Sequence, residues 1–100
     1  MSLFKIKAIY KIHPETFYID DGAAYDANDI VVNYDDAAVS AEASSMEAKE
    51  HRSGLLTLTD WWALSDRTMT AEQTAYRQAL RDITDQAGFP TNITWPTKPE

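Results

Sequence analysis

The sequence contains no cysteine. Disulfide staples, thiolate zinc sites and a cysteine nucleophile are therefore excluded. Small secreted domains commonly depend on such staples, so an intracellular location is the expectation. Glycine is scarce, and its three copies form no glycine-rich phosphate loop. No stretch approaches the roughly 18 uncharged apolar residues of a membrane-spanning helix. The opening Met-Ser-Leu-Phe-Lys-Ile-Lys lacks the unbroken apolar run of a signal peptide. Positive charge is also short: nine Lys and Arg stand against 16 Asp and Glu, a net charge of −7. Phosphate neutralisation supplies most non-specific nucleic-acid affinity, so neither nucleic acid nor a membrane is an expected partner. At 100 residues the chain fits one small domain. Such a chain buries only about two-thirds of its unfolded surface, leaving little room for an enclosed active site.

What is present is ordinary for a folded domain: 44% apolar and 25% charged residues. The aromatic set is full, with three Trp, five Tyr and three Phe. Aromatic side chains fill cores and also anchor interfaces. Acidity concentrates in the middle: residues 1–34 carry −2, residues 35–64 carry −4 and residues 65–100 carry −1.

Between Leu3 and Ile12, Phe4, Ile6, Ala8, Tyr10 and Ile12 alternate with Lys5, Lys7 and Lys11. That period of two predicts a half-buried strand, with Ile9 as an exception on its polar face. Thr16–Ile19 predicts a second strand and Ile30–Val32 a third, with Asp20-Asp21-Gly22 as a tight turn. Asp35 or Asp36 can cap a helix. The Ala-, Glu- and Ser-rich run that follows, and then Leu55, Leu58 and Trp61 or Trp62 at helical spacing, predict a helix over 36–64, bent or frayed near Ser53-Gly54. Thr70-Ala-Glu-Gln73 is a capping box. Tyr76, Leu80, Ile83 and Ala87 form one stripe, and Gly88 with Pro90 marks the stop, so a second helix is predicted over 71–87. Three prolines in 89–100 predict an extended tail.

No catalytic constellation stands out. Asp20-Asp21 and Asp35-Asp36 read as turn and cap residues, because neighbouring carboxylates point apart. Glu47 and His51 share a helix face but supply too few ligands for a metal, and no cofactor is implied. Arg77 and Arg81 stand one helical turn apart. Arg81 can pair with Asp85, and both arginines can lie in solvent, contact the acidic helix or meet a partner. Trp61 and Trp62 lie 100° apart on a helix, so one can face the core while the other serves its edge or an interface. Trp95 either folds back as a staple or, with Pro96, forms a docking segment.

Arg52-Ser-Gly-Leu-Leu-Thr-Leu-Thr-Asp-Trp61, Leu64-Ser-Asp66, Thr70-Ala-Glu-Gln73, Tyr76-Arg-Gln-Ala-Leu-Arg-Asp-Ile83 and Trp95-Pro96 with Pro99 together resemble the C-terminal module of tail assembly chaperones of tailed bacteriophages, a group similar to the tail fibre assembly proteins. The resemblance covers about residues 52–99. The chain departs from the pattern at Ser65, where proline is common. Residues 1–34 match no recognised pattern. The resemblance implies a non-enzymatic protein that assists folding, trimerisation or attachment of a tail or tail-fibre protein in the host bacterial cytoplasm. The alternative it leaves open is a permanent virion component, such as a fibre-tip adhesin.

The expected fold is α+β in one domain: a β-rich antiparallel sheet within 1–34, then an antiparallel hairpin of two helices and the tail over 35–100. Leu55, Leu58, Trp61, Tyr76, Leu80, Ile83 and Trp95 are the expected core. Candidate partner-binding residues are Trp61, Trp62, Arg77, Arg81, Trp95 and Pro96, and Trp62 with the early tyrosines is the expected aromatic surplus. The oligomeric state stays open.

Overall fold

The computed structural model describes residues 2–64 and 66–99. Ser65, where the chain departs from the chaperone pattern, lies outside them. The fold is α+β, with a three-stranded antiparallel sheet and helices. The chain divides into two compact units, Met1–Glu47 and Ala48–Glu100.

In the first unit, Leu3–Ile12 is a helix, α1, and not the predicted strand. The Ser2 hydroxyl caps it by accepting from the Lys5 N–H at 3.1 Å. Lys11 stands in its last turn, where a cation suits the helix dipole. The alternating pattern misleads because the face that matters is Phe4, Ala8 and Ile9, at i, i+4 and i+5. Ile9, the exception to the alternation, is fully buried, whereas Tyr10 on the expected core face is 37% exposed. The partner face belongs to the second helix, α2 (Asp36–Thr59), which contributes Val39 and Ala43 to the same core. Small residues on both sides permit close approach. Lys5 meets Asp36 and Lys11 meets Glu42, each at 2.6 Å, so contacts advance in the same direction along both helices. The hydrogen bond from Lys5 to Asp36 holds its ammonium pKa above the ordinary value, against a smaller opposing effect of burial. Asp35 caps α2, its carboxylate accepting from the Ala37 N–H at 3.0 Å.

The sheet comprises β1 (Tyr18–Asp20), β2 (Ala23–Tyr25) and β3 (Val31–Val32), in that order. The predicted second and third strands correspond to β1 and β3, and β2 is an addition. The β1–β2 turn is the expected Asp-Gly hairpin, with φ of 48° at Asp21 and 82° at Gly22. The β2–β3 loop is tied by the Asp26 carboxylate, which accepts from the N–H groups of Asn28 and Ile30. Ile19, Ala24 and Val32 align across the strands and face the core with α1 and α2. Tyr18, Tyr25 and Val31 align on the opposite face. The Tyr34 hydroxyl donates to the Gly22 carbonyl and fastens the hairpin from the inner side of the chain.

The second unit contains the rest of α2, a 3-10 turn at Asp60–Ala63, helix α3 (Ala71–Arg81) and a second 3-10 turn at Asp82–Asp85. The capping box at Thr70 and Gln73 is present in both directions, at 3.0 Å each. Trp62, Tyr76 and Leu80 form the core, lined by Leu55, Leu56, Met69 and Trp95. Leu58 and Trp61 are exposed, contrary to the expected core, and Trp62 takes the inward place. Leu55 lines the core as expected, together with Leu56, but further along the helix Thr59 and Trp62 take the inward places expected for Leu58 and Trp61. Thr59 disguises the shift, because a hydroxyl interrupts the apolar pattern. That hydroxyl is satisfied by the Leu55 and Leu56 carbonyls of its own helix.

The predicted helix over 71–87 stops earlier, tightening into the 3-10 turn after Arg81. Ile83 remains buried, but the Arg81–Asp85 ion pair is absent, because the tighter winding ends the four-residue periodicity. Gly88 is therefore no helix stop. A Cβ there would collide with the Asn92 carbonyl, and this close approach is what requires glycine. Residues 93–99 carry neither helix nor strand. Gln86 clasps Thr94 through two hydrogen bonds, to its carbonyl at 2.8 Å and from its N–H at 2.9 Å.

Helix α2 runs unbroken through Gly54, where a bend was expected. A Cβ at Gly54 would meet nothing within 4 Å. Gly54→Ala should therefore stabilise the protein by about 0.5–1 kcal/mol, read as a higher urea midpoint.

Candidate protein-binding site

The six candidate residues all lie in the second unit, and the structure gives them different tasks. Arg77 projects from α3 into the C-terminal end of α2. Its guanidinium donates to the Leu56 carbonyl at 3.0 Å, the Thr59 hydroxyl at 2.8 Å and the Asp60 carboxylate at 2.9 Å. The last carbonyls of a helix lack intrahelical donors and carry its negative dipole end, so a buried cation is well placed there. Asp60 is largely in solvent, which weakens the ion pair itself. The two bonds to the helix end are the protected ones, and Arg77 Nε is buried without a partner. Arg52 reaches the Arg81 carbonyl at 3.4 Å. Contacts thus pair 52 with 81 and 60 with 77, the order of antiparallel segments. Of the readings open for Arg77, contact with the acidic helix is the one the structure realises.

Trp62 is likewise internal, 3% exposed and tilted against Tyr76 with ring centroids 6.0 Å apart. The Lys98 ammonium lies 5.9 Å from its ring. Trp95 is half-buried on the same core and meets the His51 ring edge-on at 4.6 Å, the staple arrangement. His51 thereby has an aromatic neighbour. Among the described residues, no group of three or more His, Asp or Glu is placed to hold a metal ion. Pro96 is half-buried beside Trp95.

Trp61 and Arg81 remain on the surface. Leu58, Trp61 and Leu64 are exposed at three-residue spacing, and Trp61 is 49% exposed. The Arg67 guanidinium stacks on the Trp61 ring, 4.3 Å from its centroid. Cation–π contact of this kind orients an exposed indole without burying it. The internal and surplus tryptophans are therefore interchanged relative to the expectation.

A second apolar surface was not among the candidates. In the first unit Phe17, Tyr18, Ile30 and Val31 are all exposed. Tyr18 and Tyr25 stack at 4.9 Å, and Phe17 packs edge-on against Tyr18. The early tyrosines signalled surplus aromatics, but without β2 nothing aligned them. The Tyr18 hydroxyl donates to Asp29 at 2.7 Å. That hydrogen bond to a carboxylate, aided by burial, pushes the phenol pKa up from 10 to about 12. The proton is held more tightly in the folded state. The contact's contribution is therefore complete below pH 10 and is lost as pH rises through about 12. Asp29→Asn should move the Tyr18 midpoint back toward 10, as followed by ring NMR titration.

No helix among the described residues is long and apolar enough to cross a membrane. No curated protein and no solved structure matches the chain. A family model described as phage tail assembly chaperone protein matches residues 45–100. The match takes in the Arg77 contacts, the Trp62–Tyr76–Leu80 core, Trp61 and Trp95. It spans more than half of the sequence, and the chain belongs to the phage tail assembly chaperone family.

Proposed function

We propose that the protein is a non-enzymatic assembly chaperone that binds a phage tail or tail-fibre protein and assists its folding, trimerisation or attachment. The family match over residues 45–100 carries this reading. Exposed Leu58, Trp61 and Leu64 support it, because an exposed tryptophan among leucines is costly in water and suits a protein interface. Trp61 and Arg81 face the client. Trp62, Arg77 and Trp95 hold the surface that presents them, and Pro96 continues it.

Co-expression with the tail and tail-fibre proteins of the same phage provides the test. The client should be soluble and assembled with the chaperone present and aggregated or unassembled without it. Trp61→Ala should weaken the complex about tenfold or more, the loss typical of an interface hot spot. Equal assembly in both cultures would reject the reading. A stoichiometric amount in purified particles would instead make the protein a virion component.

A further inference from the structure

We infer that the outer face of the three-stranded sheet is a separate docking surface for a client segment of apolar side chains flanked by Lys or Arg. This inference rests on the chaperone role and adds a second contact to it, outside the residues that the family model matches.

One row of the face is apolar across all three strands. Tyr18, Tyr25 and Val31 occupy one row of the register. Phe17 packs edge-on against Tyr18, and Ile30, next to Val31 in sequence, is also exposed. Phe17 is 68% exposed and Val31 52%. A three-stranded sheet needs only one buried face, and here Ile19, Ala24 and Val32 supply it. The outer row is aromatic and β-branched where solvated strands normally carry polar residues.

Charge selects the occupant. Residues 13–35 contain Glu15, Asp20, Asp21, Asp26, Asp29 and Asp35, with no Lys or Arg. Asp20 and Asp21 stand at the β1–β2 end of the strands, and Asp26 and Asp29 at the β2–β3 end. The apolar row thus has carboxylates at both ends. The nearest lysines in sequence lie on α1, where Lys5 and Lys11 are paired with Asp36 and Glu42 and Lys7 lies over the Phe4 ring. A second copy of this chain would bring carboxylates against carboxylates, and an anionic lipid surface would be repelled. A segment with apolar residues in its centre and basic residues at its ends matches both features.

The experiment uses the full chain and overlapping synthetic peptides spanning the tail proteins of the same phage. Peptides that bind should carry Lys or Arg on both sides of an apolar stretch. Binding should weaken at least tenfold in Phe17→Ser/Val31→Thr and severalfold in Asp20→Asn/Asp21→Asn, with unchanged circular dichroism. Amide shifts of Tyr18, Tyr25 and Val31 in the wild-type protein give a readout independent of any variant. If the wild-type chain binds a client and the Phe17/Val31 variant or the sheet amides respond no differently, the inference is wrong and the chaperone role stands. If the wild-type chain binds no tail protein or peptide, both are wrong. Selection of peptides without flanking bases, a dimer abolished by Phe17→Ser/Val31→Thr, or sheet-dependent binding to phosphatidylglycerol vesicles would each overturn the stated occupant.

Discussion

Arg77→Ala should lower the stability of the protein by about 2–4 kcal/mol. Arg77 is buried and donates to a helix-end carbonyl, a buried hydroxyl and a carboxylate. Removal takes the guanidinium from both the Leu56 carbonyl and the Thr59 hydroxyl, leaving the carbonyl only the Thr59 hydroxyl as a side-chain donor, and opens the space filled by the aliphatic stem. Asp60 returns to water at little cost, since it is already mostly exposed. The helix end therefore accounts for most of the effect, and the ion pair for little. Asp60→Asn should accordingly cost less than about 1 kcal/mol. Arg77→Lys should fall between, because an ammonium lacks the planar fork that reaches several acceptors at once. Urea denaturation of the three variants gives the comparison. A neutral Arg77→Ala would mean that the guanidinium serves a partner instead.

Ile9→Ala should cost about 2–5 kcal/mol, the range for truncating a fully buried aliphatic side chain. Its neighbour Tyr10 is partly exposed, and Tyr10→Ala should cost no more than about 1 kcal/mol. The ordering discriminates between helix and strand for residues 3–12. In the strand reading Tyr10 lies on the core face and Ile9 on the polar one, so the ranks would reverse.

Residues 3–12 also show why part of the fold was not legible. Ten residues hold too few apolar positions to separate a period of two from a period of 3.6 when lysines alternate by chance. The decision came from the other side of the contact. Val39 and Ala43 of α2 offer a helix face, and Asp36 and Glu42 offer partners to Lys5 and Lys11. Local signals that depend on a few adjacent residues were readable: the Asp-Gly hairpin, the Thr70–Gln73 capping box and the Asp35 cap. Strand β2 was missed because Ala-Ala-Tyr has weak strand propensity and is held by its two neighbours.

The candidate site was partly legible in the same sense. Tyr76, Leu80 and Ile83 lie on one clean stripe and are buried together. The α2 stripe contains Thr59, and a buried hydroxyl cannot be told from an exposed one until Arg77 is seen bonding to it. That single polar position shifted the inward phase by one residue and exchanged the roles of Trp61 and Trp62. Arg77 and Arg81 look equivalent in sequence at one-turn spacing. Only the first faces the α2 end, and the second stays on the surface.

The proposed client binding rests on the family membership and on the exposed Leu58–Trp61–Leu64 row. The most direct measurement is the assembled fraction of the tail or tail-fibre proteins of the same phage, expressed with and without this chain and analysed by light scattering after size exclusion. Assembled, soluble client is expected only when the chain is present, with a marked loss for Trp61→Ala. An equal assembled fraction in its absence would contradict the chaperone role.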